Sequence, residues 1–260
     1  MALLWEILQF ILRLGFGMSL MMTFTSSRLV TSGFFRVHLW VLMGLNVFAS
    51  LVIWTAGAEH VPQQRTNLLI VVITNAVLNY VAACVWLYEK NSMGKFLLLL
   101  ITILTLGSAY QSTLFPSNAT LQHSIIVIFD ISSAGALLGT VMMSMLLGHW
   151  YLNTPGMKLQ PLHQLLWLCL AALCLRSAVS AAGTLAYLNT SDVETAWWIF
   201  LSLRWITGLA ATTVMVILAK LTLRVPNTQS ATGILYAATV VVLIGELTAQ
   251  LLTEDILYPL

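Results

Sequence analysis

Apolar residues in this chain run in long blocks separated by short polar turns. Eight blocks stand out, at residues 2–24, 34–56, 67–88, 96–115, 121–147, 161–187, 195–220 and 231–252. Each reaches the ~20 residues that an α-helix needs to cross a hydrocarbon core about 30 Å thick. Turn-forming strings separate them, among them Thr31-Ser32-Gly33, Glu59-His60-Val61-Pro62, Glu89-Lys90-Asn91-Ser92, Asn153-Thr154-Pro155-Gly156 and Pro226-Asn227-Thr228. Strict apolar–polar alternation in ~10-residue segments, the mark of a membrane barrel, does not recur. The pattern predicts an all-α polytopic bundle of eight transmembrane helices with no soluble domain. Because no connection exceeds about a dozen residues, residues 1–260 are expected to form a single integral-membrane domain. The first block carries Glu6 and Arg13 and lacks a basic leader, so it reads as helix one rather than as a signal peptide.

Composition sharpens this picture. Hydrophobic residues make up 59% of the chain and charged residues 8%, against roughly 25% charged in a soluble domain. Nine acids and eleven bases cannot furnish a water-facing surface for 260 residues. Disorder is excluded by the excess of apolar area. The formal charge of +2 provides no basic field, so nucleic acid is not an expected partner. Cys84, Cys169 and Cys174 lie in apolar runs without CxxC or Cys/His spacing, so buried structural thiols are expected and no metal site is indicated.

The bases are distributed unevenly. Arg28, Arg36, Lys90, Lys95, Lys158, Lys220 and Arg224 belong to the odd-numbered connections, whereas the even-numbered ones hold only Arg65. By the positive-inside rule the odd connections face the cytoplasm and both chain termini face the opposite side, as expected for a bacterial inner membrane. Two N-x-[ST] triplets, at Asn118 and Asn189, fall on the outer face, close to the membrane.

Five charges fall well inside the spans, away from their ends. At 1.5 Å per residue, Arg13, Asp130, Arg176, Arg204 and Glu246 all lie in a slab near mid-depth. An ionisable group there costs at least ~2.5–3.5 kcal/mol, so each is expected to face protein or water. The neighbouring residues suit an interior face: Cys169, Ala172, Ser180 and Gly183 around Arg176, Gly208 and Ala211 beyond Arg204, Ser133 beside Asp130, and Thr239 and Gln250 around Glu246. Asn75 and Asn79 share a face of helix three. One reading is a set of buried ion pairs that fix helix register. The other starts from three arginines against two acids, a surplus that calls for an anion, a carbonyl-rich ligand or water in a pocket bounded by helices five to eight.

Histidines fall mainly near span ends, which disfavours haem ligation. His123 above the charged slab and His149 below it mark the ends of a conceivable proton path. The string Gly148-His149-Trp150-Tyr151 reads as an aromatic belt followed by a turn, or as a cytoplasmic-edge site for a quinone or lipid headgroup, with Gln229 nearby. No GxSxG, HExxH, Walker A or dinucleotide motif is present. The sequence therefore identifies no catalytic residue, and an enzyme acting alone is not the expected class. The expected function is a membrane subunit of an electron-transfer or other bioenergetic complex, embedded in lipid beside other membrane subunits, with a quinone or lipid as the cofactor to look for. A small-solute or proton-coupled transporter and a non-catalytic scaffold subunit are the alternatives.

Overall fold

The computed structural model describes residues 2–113, 121–154, 156–189, 195–225, 227–253 and 258–260, with the side chains at 122, 123 and 196 excepted. Among these there is no strand. The helices are α1 (Ala2–Phe24), α2 (Ser32–His60), α3 (Arg65–Leu87), α4 (Asn91–Gln111), α5 (Leu121–Asn153), α6 (Gln160–Leu188), α7 (Thr195–Leu203), a π-helical segment (Arg204–Ala211), α8 (Thr212–Thr222) and α9 (Thr228–Thr253). The segments α7, π and α8 follow one another directly as a single span, giving eight helices long and apolar enough to cross a membrane. The protein is thus an all-helical, multi-pass membrane protein.

Helix ends follow local chemistry rather than bilayer thickness. Helix α5 runs past residue 147 to Asn153, carrying His149, Trp150 and Tyr151 within it. The turn beyond holds Gly156 at φ 96°, a left-handed conformation that a residue without Cβ adopts freely. Helix α6 then begins with Pro161 in its first turn, where the missing N–H costs no hydrogen bond.

Two compact units divide the chain, Met1–Ala119 and Thr120–Leu260. In the first, each of α1 to α4 packs on its neighbour in sequence and α4 returns against α1. Trp5, Leu8, Leu12, Phe34, Phe35, Leu39 and Trp86 form the core, with Phe35 and Trp86 stacked at 4.0 Å between ring centroids. Polar ties close both ends of the α1–α4 contact. Trp5 Nε1 and Gln9 Nε2 donate to Ser112 O at 3.2 and 3.1 Å. At the other end Lys95 Nζ donates to the backbone oxygens of Met22, Thr23 and Thr25, meeting carbonyls that the end of α1 leaves unpaired.

In the second unit α5 packs on α6 and α9, α9 packs on the seventh span, and α6 meets α8. Two helices cross closely at Gly208 of the π segment and Gly245 of α9. A Cβ on Gly245 would collide with the Gly208 backbone, so only glycine lets these two backbones touch. Gly148 likewise admits Thr232, whose Oγ1 lies 2.7 Å from where a Cβ would sit.

Large apolar side chains such as Trp40, Ile70, Ile199 and Ile206 are exposed around both units. A bilayer supplies the apolar solvent such surfaces require, and the absence of a polar outer face is why the chain carries so few charges. Cys169 is buried, Cys84 is half-buried and Cys174 is exposed. The expectation of three buried thiols therefore holds for Cys169 alone; Cys174, two residues from the buried Arg176, lies on the opposite face of α6.

Candidate functional site: a buried charge network in the second unit

Four helical segments each contribute one charge. Asp130 comes from α5, Arg176 from α6, Arg204 from the first position of the π segment, and Glu246 from α9. Each follows from its helix face. On α6, Cys169, Ala172, Arg176, Ser180 and Gly183 are all buried at spacings of three and four. On α9, Thr239, Glu246 and Gln250 share the buried side. Arg176 and Arg204 are fully buried, Glu246 is 2% exposed and Asp130 6%.

Arg176 is the hub. Its Nη1 donates to Asp130 Oδ1 at 2.6 Å and to Ser133 Oγ at 3.4 Å. Its Nε donates to both Glu246 oxygens, at 3.3 and 3.1 Å. Nη2 lies 3.1 Å from Glu246 Oε2 and donates to the backbone oxygen of Leu260 at 3.2 Å. Every nitrogen of this guanidinium thus has an acceptor, and its planar fork of donors suits two carboxylates at once.

Arg204 is equally buried and much less well served. Its Nη2 lies 2.8 Å from Glu246 Oε1, an ion-pair distance. Its Nε and Nη1, however, have no hydrogen-bond acceptor. Glu246 is therefore shared, with Arg176 on both of its oxygens and Arg204 Nη2 on Oε1. Nη1 of Arg204 lies against its own helix, 2.7 Å from the Cβ position of Gly208. A π-helical turn here widens the helix at the residue that carries the charge, a distortion that recurs at functional sites in helices.

Within the second unit these four charges balance, two against two. Neutrality matters in a medium where one uncompensated charge costs several kcal/mol. Arg13, grouped with them by depth, belongs to the first unit, where it is 7% exposed. The surplus of one positive charge that the depth count suggested is not a property of the second unit taken alone.

The remaining candidates are dispersed. The side chain of His123 lies outside the described residues, as do Asn118 and the second and third positions of the Asn189 triplet. His149 is exposed at the end of α5, where Tyr236 of α9 brings its hydroxyl within 3.2 Å of Nδ1 and Asn153 approaches Nε2 at 3.5 Å. Tyr151 is buried and donates to Lys158 O at 2.6 Å, strapping the α5–α6 turn to the helix. Trp150 is half-buried and Gln229 exposed. Three participants had no sequence signal: Tyr236, the Leu260 backbone oxygen and the π geometry. Gly245 had a weak one, sitting beside Glu246 on a small-residue helix.

No protein-family model, curated protein or solved structure matches the chain. Fold and site together define a multi-pass helical membrane protein with a buried salt-bridge network.

Proposed function

We propose that this protein is an integral membrane subunit of an electron-transfer or other bioenergetic complex, in a bacterial inner membrane and with its odd-numbered connections toward the cytoplasm. The network of Asp130, Arg176, Glu246 and Arg204 is its working site. The observation that carries this reading is Arg204, a fully buried guanidinium paired with Glu246 through Nη2 while its Nε and Nη1 have no acceptor. Such a group offers strong donors to an oxygen acceptor. The carbonyl oxygen of a quinone head, reaching the site from the bilayer, fits those donors and leaves the network electrically neutral.

Charge balance favours a second reading, a proton-coupled transporter. A small anion at Arg204 would leave the four charges net negative unless Glu246 or Asp130 took up a proton with it. The two readings separate in one experiment. Protein in lipid nanodiscs is titrated with a short-chain ubiquinone and a menaquinone analogue, following quenching of tryptophan fluorescence. A charge-assisted hydrogen bond is worth ~1.5–3 kcal/mol, so Arg204→Leu should weaken quinone binding about 10- to 100-fold while the protein still folds. Quinone binding that is absent, or unchanged in Arg204→Leu, refutes the quinone site. Anion-dependent proton uptake into proteoliposomes would then select the transporter.

A further inference from the structure

The first unit holds a polar feature that the charge network does not use. Helix α3 buries one face, carrying Leu68, Val72, Asn75, Asn79, Ala82, Ala83 and Trp86. Asn75 Nδ2 donates to Asn46 Oδ1 of α2 at 3.2 Å and to Thr105 Oγ1 of α4 at 2.7 Å, so its amide points among three helices. Asn79 Nδ2 donates to Asn75 O at 2.8 Å. The carboxamide oxygens of Asn75 and Asn79 have no hydrogen-bond partner, and neither has the indole Nε1 of Trp86, although all three residues are fully buried. On this single face, two acceptors are followed by a donor, with only the small side chains of Ala82 and Ala83 between them.

We propose that a file of ordered water molecules runs along the buried face of α3, from Asn75 to Trp86. Seven residues separate Asn79 from Trp86, ~10 Å along the axis. At a spacing of about 2.8 Å, roughly three water molecules span that gap. Trp86 Nε1 donates to the first water, and the last donates to the amide oxygens, so the chain of bonds is polarised in one direction. The Trp86 indole that ends this face is held between Phe35 of α2, on which it stacks, and Gly94 of α4. Buried waters occupy sites where unsatisfied polar groups meet, and Ala82 and Ala83 are the smallest side chains on this face of α3.

A bare cation does not suit this place. An N–H donor closes one end, α3 and α4 contain no acid, and Lys95, over the Phe35 ring that stacks on Trp86, already puts a positive charge near that end. Water satisfies donor and acceptor alike. With the additional turn from Asn75 to Asn79, the file covers about half of a 30 Å hydrocarbon core. It gives the first unit a hydrated interior route whose existence does not depend on quinone or anion binding in the second.

The test uses brief X-ray radiolysis, which makes hydroxyl radicals from water where it sits, with oxidised residues read by mass spectrometry. Trp5 is the internal control: it is 1% exposed, but its Nε1 is already bonded to Ser112 O. In the intact protein in nanodiscs, Trp86 should oxidise roughly tenfold faster than Trp5 if water touches it. Asn79→Leu removes an anchor without changing bulk and should bring Trp86 down toward Trp5. Should Asn79→Leu fail to assemble, Ala83→Val plugs the path and should do the same. Trp86 as silent as Trp5 overturns the proposal, and so does Trp86 oxidation that neither substitution changes.

Discussion

Replacing Arg176 with leucine tests the charge balance most directly. The substitution removes hydrogen bonds to Asp130 and Glu246 and the donor to Leu260 O. It also leaves the second unit's network with one arginine and two acids. Glu246 retains Arg204 at 2.8 Å, whereas Asp130 loses its guanidinium. Removing one partner from a buried ion pair costs ~3–5 kcal/mol. With about 2–4 °C of melting temperature per kcal/mol in a protein near this size, the transition should fall by roughly 6–20 °C. Neutrality can be restored separately: Arg176→Leu combined with Asp130→Asn leaves one arginine, one acid and the Arg204–Glu246 pair intact. That double variant should recover at least about half of the loss, a coupling between neighbours that independent sites would not show. Asp130→Asn alone leaves an excess positive charge and should also destabilise. The assay is thermal unfolding in detergent, followed by intrinsic fluorescence and checked by size-exclusion chromatography. A double variant no more stable than Arg176→Leu would refute the charge-balance argument and assign the loss to packing around the arginine.

Three further outcomes follow from particular contacts. Gly245→Ala places a methyl group against the Gly208 backbone and should destabilise by about 1–3 kcal/mol or more, since neither partner is a movable side chain; a melting temperature equal to wild type would contradict the close crossing. Lys95→Met removes the donor that ties α4 to the end of α1 and should cost roughly 1–3 kcal/mol, with faster amide exchange at Thr23 and Thr25; unchanged exchange there would show that the cap is unimportant. In a background without native cysteines, a cysteine at Asn189 should react with an impermeant reagent applied outside the cell and one at Asn91 should not; the reverse pattern would invert the proposed orientation.

Much of the architecture was legible along the chain because in lipid every backbone polar group must be satisfied internally, and a run of ~20 apolar residues then has little choice but helix. Eight spans, an all-helical class and the inward faces of α6 and α9 follow from periodicity alone. The cost of a charge at mid-depth singled out Asp130, Arg176, Arg204 and Glu246 as interior residues before any contact was known. Pairing was another matter. Depth counts place residues along an axis and say nothing of which helices are neighbours; the ion pairs described join Asp130, Arg176, Arg204 and Glu246, and Arg13 lies in the other unit. The π-helical turn at Arg204 is equally invisible in sequence, because an RWITGLAA string has no composition of its own that marks a five-residue hydrogen-bond register. It accompanies the glycine-to-glycine crossing with α9, a contact between residues 208 and 245. The same holds for the unequal treatment of two arginines with identical burial. Their number and depth are written in the sequence, while the acceptors each one meets are set by four helices meeting in space, and these distinguish the saturated Arg176 from Arg204, whose Nε and Nη1 have none.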